Sequence, residues 1–263
     1  MQSATLEGNR IKGVDGYIFV DDAGTGYPPV IFTHSFGGDV SHWFHQLSHL
    51  RSRVRAIAFD FRGHGKSDLP KRPRYTAEAL ANDIIAVVDG LDIEKFILVG
   101  HSMGGSAAIA YADLHPSRVL GIVLAGTPGR TPVEISKPVI ESLRSDAYQK
   151  VMDDYMARLV GNASSGVAAK VNEGVRRLSK ETSIDIIQSL FEFDPIDKLN
   201  RYNGHKLIIT TSNDVKQPNS LHNQVPAIPA EIIDGTSHWT QLDKPEEFNR
   251  ILDSFLTQVV EGD

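Results

Sequence analysis

Cysteine is missing from this chain of 263 residues, and its absence excludes three kinds of chemistry. No disulfide can form, no thiolate can bind a metal ion, and no cysteine can serve as a nucleophile. The absence is compatible with the cytosol but leaves the redox compartment open.

Long apolar runs and an excess of positive charge are also missing. No run of about 18 apolar residues occurs, so we expect no membrane-spanning helix. Residues 1–10 are polar and lack the apolar segment of a secretory signal peptide, which favours a cytoplasmic protein. The 27 Lys and Arg residues against 33 Asp and Glu residues give a net charge of -6. This charge disfavours nucleic acid or an anionic membrane as a partner.

The most informative segment is residues 96–105, which read FILVGHSMGG and are followed by an alanine-rich stretch. An apolar strand pattern runs into a G-x-S-x-G motif and then a helix pattern, which is the setting of a nucleophile elbow. Gly100 and Gly104 lack the Cβ atoms that would clash in so tight a turn. The pattern predicts that Ser102 begins the helix with its hydroxyl exposed, near backbone N–H groups that face an oxyanion.

Strand and helix patterns alternate through the first half of the chain. Buried strands are predicted at 54–59, 96–99 and 119–125, and helices at 41–50, 76–91 and 102–114. Two further apolar runs, 16–20 and 30–33, flank a turn-rich stretch at 21–26 and are predicted to pair as a hairpin. Continuous apolar strands separated by helices indicate a parallel sheet covered on both faces.

The pattern changes to helices alone between residues 131 and 193, with predicted breaks at Gly161, Ser164–Gly166 and Gly174. About 60 residues are more than an ordinary connection between strands requires. The sequence therefore predicts a helical cap at 131–193. The predicted core domain consists of residues 1–130 and 194–263, and strands return within it at 207–211 and 231–233. A final helix is predicted at 245–259.

A serine nucleophile needs a base within hydrogen-bond reach and a group that orients the base. His238 lies in a loop after the last predicted strand, at the edge of the sheet where the elbow also ends. Asp214 follows the preceding strand and should reach the same edge. Four earlier loop residues remain alternatives for base or acid, although loop structure explains them better: His34, His64, Asp60 and Asp68.

Taken together, these motifs resemble the α/β-hydrolase-fold serine hydrolases over nearly the whole chain. The matching segments are THSFGG at 33–38, DFRGHGKS at 60–67, GHSMGG at 100–105, GTSHW at 235–239 and KPEEF at 244–248. The chain order Ser102, Asp214, His238 is also the order of that fold. The resemblance implies a mostly parallel central sheet flanked by helices, a triad of these three residues, and an oxyanion hole formed by the backbone N–H groups of Phe36 and Met103.

One position departs from the family pattern, because Ser35 stands where a glycine usually follows the histidine. A serine narrows the backbone conformations of this oxyanion loop, and its hydroxyl can form a hydrogen bond into the site. Ser35 is therefore predicted to belong to the substrate pocket. The other predicted lining residues are Trp239, Met152, Tyr155 and Met156.

The predicted function is hydrolysis of carboxylic esters or lactones through an acyl-enzyme, as in an esterase or lactonase. The expected partner is a small-molecule ester or lactone, with no cofactor and no metal, and the protein is a monomer or a homodimer. Two alternatives stay open: a C–C bond hydrolase or perhydrolase of the same fold, and a receptor-like protein that binds its ligand and hydrolyses it slowly. A serine at the elbow argues against the dehalogenases and epoxide hydrolases of this fold, which use aspartate there.

Overall fold

A computed structural model describes residues 9–262, which contain one eight-stranded sheet with the strand order β1-β2-β4-β3-β5-β6-β7-β8. The strands are β1 (Arg10–Lys12), β2 (Tyr17–Ala23), β3 (Val30–Thr33), β4 (Ala56–Phe59), β5 (Phe96–His101), β6 (Val119–Ala125), β7 (His205–Thr210) and β8 (Ala230–Ile232). The pairs β1–β2 and β2–β4 are antiparallel, and the other pairs are parallel. The prediction of a mostly parallel central sheet flanked by helices is confirmed.

Helices cover the sheet and connect its strands. The longer ones are α1 (Phe44–Leu50), α2 (Ala77–Gly90), α3 (Met103–Leu114), α4 (Val133–Leu143), α5 (Tyr148–Val160), α6 (Ser165–Arg176), α7 (Lys180–Glu192) and α12 (Pro245–Glu261). The shorter ones are α8 (Ile196–Arg201), α9 (Ser212–Val215), α10 (Leu221–Gln224) and α11 (Thr240–Asp243). Within residues 9–262 no helix is both long enough and apolar enough to cross a membrane.

Strand β5 shows why both faces of the sheet must be covered. Its side chains alternate between the two sides of the sheet, as the two-residue period of a strand requires. Phe96 and Leu98 belong to the cluster that contains the buried faces of α2 and α3. Ile97 and Val99 belong to the cluster formed with α1 and α12. A strand that is apolar on both faces is typical of a central parallel strand.

The predicted hairpin between 16–20 and 30–33 is wrong, because β4 lies between β2 and β3 in the sheet. The prediction took the two aspartates after residue 20 as a turn, but β2 continues through them. Asp21 pairs with Arg51 at 2.7 Å and Asp22 pairs with Arg55 at 2.7 Å, so arginines near β4 balance these strand carboxylates. The hairpin that does form joins β1 to β2.

The helical segment between β6 and α8, residues 133–192, contains α4 to α7. Helix α4 packs against both α5 and α7. Helix α5 ends at Val160 with Gly161 as its C-cap, and the Ser164 side chain accepts a hydrogen bond from the Val167 N–H to cap α6. The predicted break at Gly174 is wrong, because this residue lies inside α6. Glycine is required there by close packing, since a Cβ atom would lie 2.0 Å from the Gly37 carbonyl oxygen.

Candidate active site

Ser102 stands at the junction between β5 and α3, with φ of 53° and ψ of -114°. A positive φ is rare for a residue with a side chain and indicates a locally strained backbone, as expected at a nucleophile elbow. The Ser102 N–H donates a hydrogen bond to the Ala125 carbonyl at 2.8 Å, which ties the turn to the end of β6. The serine side chain does not cap α3, and the residue lines a cavity instead.

Three glycines allow this turn to pack against neighbouring loops. A Cβ atom on Gly100 would lie 2.6 Å from the Gly105 Cα, and one on Gly104 would lie 2.4 Å from the Thr33 carbonyl oxygen. A Cβ atom on Gly105 would lie 1.9 Å from the Thr127 Oγ1. The elbow therefore depends on glycine at each position because of close contacts with β3, the loop after β6 and its own helix.

A cavity of about 540 Å³ brings together residues from strand ends that are far apart in sequence. Ser102, Asp214 and His238 all line it. Its apolar wall comes mainly from the helical segment and includes Ile135, Val139, Val151, Leu190, Phe191 and Leu221. Its polar lining includes Arg158, Asn162, Asn213, Gln217 and His222. A cavity of this size and mixed lining is typical of a small-molecule site.

The carboxylate of Asp214 faces the imidazole of His238. Their Oδ2 and Nδ1 atoms are 3.7 Å apart, and the side chains are 27% and 10% exposed, respectively. Both atoms are buried and neither has a hydrogen-bond partner among the described residues. The distance exceeds a hydrogen bond, but such bonds at active sites often shorten only when substrate binds.

Asp214 lies within α9, the short helix that follows β7. The Thr211 side chain accepts a hydrogen bond from the Asp214 N–H at 3.0 Å and so caps this helix. Burial alone would raise the pKa of Asp214, but the His238 imidazole, the Thr211 hydroxyl and the Arg158 charge together bring it below its usual value. Asp214 is therefore ionised at neutral pH and can stabilise a positively charged imidazole.

Two main-chain contacts fix the position of His238. Its N–H donates to the Leu159 carbonyl at 3.0 Å, near the end of α5, where helix carbonyls lack partners within the helix. Its carbonyl accepts from the His101 Nε2 at 2.9 Å, and the His101 Nδ1 accepts from the Gln241 Nε2 at 3.1 Å. These bonds require neutral His101. Burial and the neighbouring His238 lower the pKa of His101 well below its usual value, in agreement with that state.

A glycine gives the His238 ring its space. Gly126 follows β6 with φ of 52°, and a Cβ atom there would lie 2.9 Å from the His238 Cε1. Sequence reasoning missed both Gly126 and Gln241. No local motif marks either of them, because the ring that each contacts is more than 100 residues away in the chain.

Phe36 and Met103 are the predicted oxyanion-hole residues. Phe36 lies in the loop after β3, and Met103 follows Ser102 after β5. Met103 is the first residue of α3, so its N–H has no acceptor within the helix. The side chains of Phe36 and Met103 are both buried in the main core cluster, and neither residue lines the cavity. Gly37, next to Phe36, has φ of 67°, and a Cβ atom there would lie 2.8 Å from the Val175 nitrogen. Helix α6 of the helical segment thus packs directly on the oxyanion loop.

Of the five residues predicted to line the pocket, Tyr155 lines the cavity. Met152 is buried in the main core cluster, and Met156 and Trp239 form a smaller cluster with Val171. Ser35 is buried, and its Oγ accepts a hydrogen bond from the Trp239 Nε1 at 3.1 Å. These four side chains are buried in the surrounding packing and do not line the cavity.

The four alternative base and acid residues form hydrogen bonds or an ion pair within their own surroundings. The His34 Nδ1 donates to the Ser35 carbonyl, and its Nε2 accepts from the Phe61 N–H, so both ring nitrogens are occupied. Burial lowers the pKa of His64 to about 4, and its Nδ1 bonds to a backbone carbonyl. The Asp60 carboxylate accepts two backbone N–H bonds, and the Asp68 carboxylate pairs with an arginine near the surface. None of these four residues is among those that line the cavity.

The fold agrees with comparisons to known proteins. The sequence model of the alpha/beta hydrolase fold family matches residues 28–245. The protein named "Putative carbamate hydrolase RutD" of Caulobacter sp. (strain K31) is 26% identical over 242 residues, covering 87% of this chain and 90% of that protein. The 3-oxoadipate enol-lactonase 1 of Acinetobacter baylyi is 24% identical over 88% of this chain and 90% of its own length.

Among solved structures, the enol-lactonase from Burkholderia xenovorans LB400 superposes with a TM-score of 0.80. The two sequences are 23% identical, and the alignment covers 94% of this chain and 99% of the other. A likeness at this identity establishes the shared fold. Because the family model spans most of the sequence and the eight-stranded sheet has the matching architecture, the chain belongs to the alpha/beta hydrolase fold family.

Proposed function

We propose that this protein is a serine hydrolase that cleaves carboxylic esters or lactones through an acyl-enzyme intermediate. In this proposal Ser102 is the nucleophile, His238 the general base, and Asp214 the residue that orients and stabilises the imidazole. The backbone N–H groups of Phe36 and Met103 supply the oxyanion hole.

The observation that carries the proposal is the pairing of His238 with Asp214 in the cavity that the strained Ser102 also lines. A buried carboxylate oxygen and a buried ring nitrogen without partners are costly, and here the two atoms face each other at 3.7 Å. Both residues line the same cavity as Ser102, whose φ of 53° matches a nucleophile elbow. General-base catalysis by a histidine that a carboxylate orients uses this arrangement.

The reaction follows from these roles. His238 removes the Ser102 proton as the serine oxygen attacks the substrate carbonyl, and the oxyanion receives backbone hydrogen bonds. Each such donor contributes about 3 kcal/mol to transition-state stabilisation. The imidazolium then gives its proton to the departing alkoxide, which leaves the acyl group on Ser102. In the second half, His238 activates a water molecule that releases the acid and restores the serine.

The helical segment supports a substrate with an apolar acyl part. We propose that residues 131–193 act as a cap over a core of residues 1–130 and 194–263. The cap supplies most of the apolar side chains of the cavity wall. Two of the similar proteins also have names that specify hydrolysis of a carbonyl compound, a carbamate in one and an enol-lactone in the other.

Labelling with a fluorophosphonate probe tests the nucleophile and the base. We expect the wild-type protein to be labelled on the peptide that contains Ser102, with labelling lost in Ser102→Ala and His238→Ala. The matched controls are Ser254→Ala and His45→Ala, which alter exposed residues away from the cavity and should be labelled normally. Labelling on any other residue would refute the assignment of the nucleophile.

A substrate panel then tests the reaction class. We expect multiple turnovers of chromogenic short-chain esters and of lactones. In Ser102→Ala the rate should fall by about a thousandfold or more. Faster reaction with a carbanion-forming diketone, or with peroxide, would instead support the C–C hydrolase or perhydrolase alternative. A single slow turnover with tight ligand binding would support the receptor-like alternative.

A further inference from the structure

The residue that departs from the family pattern makes a contact that a glycine could not make. Ser35 is 1% exposed, and its Oγ accepts the indole N–H of Trp239 at 3.1 Å. The two residues are 204 positions apart in the chain. Trp239 is 2% exposed, so this hydrogen bond lies inside the protein, away from competing water.

Each partner of this bond adjoins a proposed functional group. Ser35 precedes Phe36, whose N–H is one of the two proposed oxyanion donors. Trp239 follows His238, the proposed base. One side-chain hydrogen bond therefore links the oxyanion loop to the base loop. In each loop, the residue that forms this bond is the chain neighbour of the residue with the proposed function.

The sheet alone does not fix the distance between these two loops. The oxyanion loop follows β3 and the base loop follows β8, and β5, β6 and β7 lie between those strands. Backbone pairing fixes neighbouring strands, whereas the relative position of loops on distant strands depends on side-chain contacts. The bond between Ser35 and Trp239 is such a contact.

The backbone of each partner is already anchored, so the bond joins two ordered segments. The Ser35 carbonyl accepts from the His34 Nδ1 at 2.8 Å and from the Gly38 N–H at 2.9 Å. The Trp239 N–H donates to the Ser237 Oγ at 3.1 Å. A hydrogen bond between two ordered segments can transmit position from one to the other.

We infer that Ser35 is a positioning residue, which holds the oxyanion loop in register with the base loop through the indole of Trp239. This role rests on the proposed function, since it concerns the alignment of the oxyanion donors with the Ser102–His238 pair. It concerns the transition state more than the bound substrate, because the oxyanion forms only after Ser102 attacks.

The test begins with structure in solution and compares variants of the two bonded residues with two control variants. The chain has two tryptophans, and the Trp43 Nε1 has no hydrogen-bond partner among the described residues. In a ¹H–¹⁵N spectrum, Ser35→Ala should move the Trp239 indole signal and leave the Trp43 signal in place. Trp43→Phe removes a buried indole without a hydrogen bond and is the matched control for Trp239→Phe. Ser183→Ala removes a fully buried hydroxyl that has no hydrogen-bond partner among the described residues and does not line the cavity, and it is the control for Ser35→Ala.

Kinetics then separate positioning from a merely structural role. We expect Ser35→Ala and Trp239→Phe each to lower kcat about tenfold with little change in KM, since a small misplacement affects mainly the transition state. Binding of a boronic acid, which forms a tetrahedral adduct on the serine, should weaken by the same factor. The double variant should be no worse than the more impaired single variant. Ser35→Gly, the family residue, should behave like Ser35→Ala.

The outcomes distinguish this role from the proposed function. If the wild type hydrolyses esters and is labelled at Ser102 but Ser35→Ala keeps full kcat and boronate affinity, the positioning role is refuted and the proposed function stands. A rise in KM in Ser35→Ala and Trp239→Phe without loss of boronate affinity also refutes the positioning role. Multiplicative losses in the double variant would show that the two side chains act separately. If the wild type is neither active nor labelled, the proposed function fails and the positioning role fails with it.

Discussion

Substituting Gly126 with alanine should damage catalysis through the His238 ring. The new Cβ atom would lie 2.9 Å from the His238 Cε1 and 3.2 Å from its Nδ1, whereas ordinary contacts begin at 3.4 Å. The ring must therefore retreat by about 0.5 Å, the difference between 3.4 and 2.9 Å. This movement changes the 3.7 Å spacing to Asp214.

The expected cost has two parts. An alanine at a φ of 52° strains the backbone by about 1 kcal/mol and lowers the free energy of unfolding by that amount. Displacement of the base lowers kcat/KM by about 10- to 100-fold, because catalysis is sensitive to misplacement on the ångström scale. The first part is measured by urea unfolding and the second by steady-state hydrolysis of a chromogenic ester.

Gly235→Ala separates the two parts. Gly235 has φ of 70°, but the nearest atom to its added Cβ, outside its chain neighbours, is the Lys244 Nζ at 4.0 Å. It therefore carries the backbone strain without the steric clash. Equal losses of kcat/KM in the two variants would attribute the effect to strain, and full activity of a folded Gly126→Ala protein would show that the His238 ring does not depend on this space.

Two further predictions concern buried polar groups. Gln241→Glu places a carboxyl group where an amide N–H now donates to the His101 Nδ1, and its ionised form should protonate both ring nitrogens near neutral pH, as read from ¹⁵N shifts. A wild-type ring that carries its proton on Nδ1 contradicts the assigned tautomer. Acid should also destabilise the fold, because burial lowers the pKa values of His42 and His64 from 6.5 to about 4, so the folded state binds fewer protons than the unfolded state between those pH values. As the pH falls, each of these two histidines lowers the free energy of unfolding by about 3 kcal/mol. Asp60, whose burial raises its pKa to about 6, has the opposite effect and adds about 3 kcal/mol. Burial also lowers the pKa of His101, which adds to the loss, so urea unfolding at pH 7 and pH 4 should show a net loss of at least about 3 kcal/mol, reduced in His64→Gln. Equal stability at the two pH values would contradict this balance.

Local sequence determined the parts of the protein whose physics is local. The elbow could be predicted because strand, glycine turn and helix lie within ten residues, and steric limits on the backbone act over that range. The helix at 76–91 and the strand at 119–125 could be predicted for the same reason, and the structure places them at Ala77–Gly90 and Val119–Ala125. The fold class followed from the alternation of such elements and from the family motifs.

Only the tertiary structure decided which distant side chains meet. The sequence did not indicate that β4 inserts between β2 and β3, because that position depends on partners from the rest of the sheet. It did not distinguish residues that line the cavity from buried ones such as Met152, since helices of the helical segment pack on several sides. The contacts of His238 with Leu159 and His101 likewise depend on how loops from separate strands converge. Backbone sterics and capping are set by neighbours in the chain, whereas the distances between the proposed catalytic groups are set by packing across the sheet.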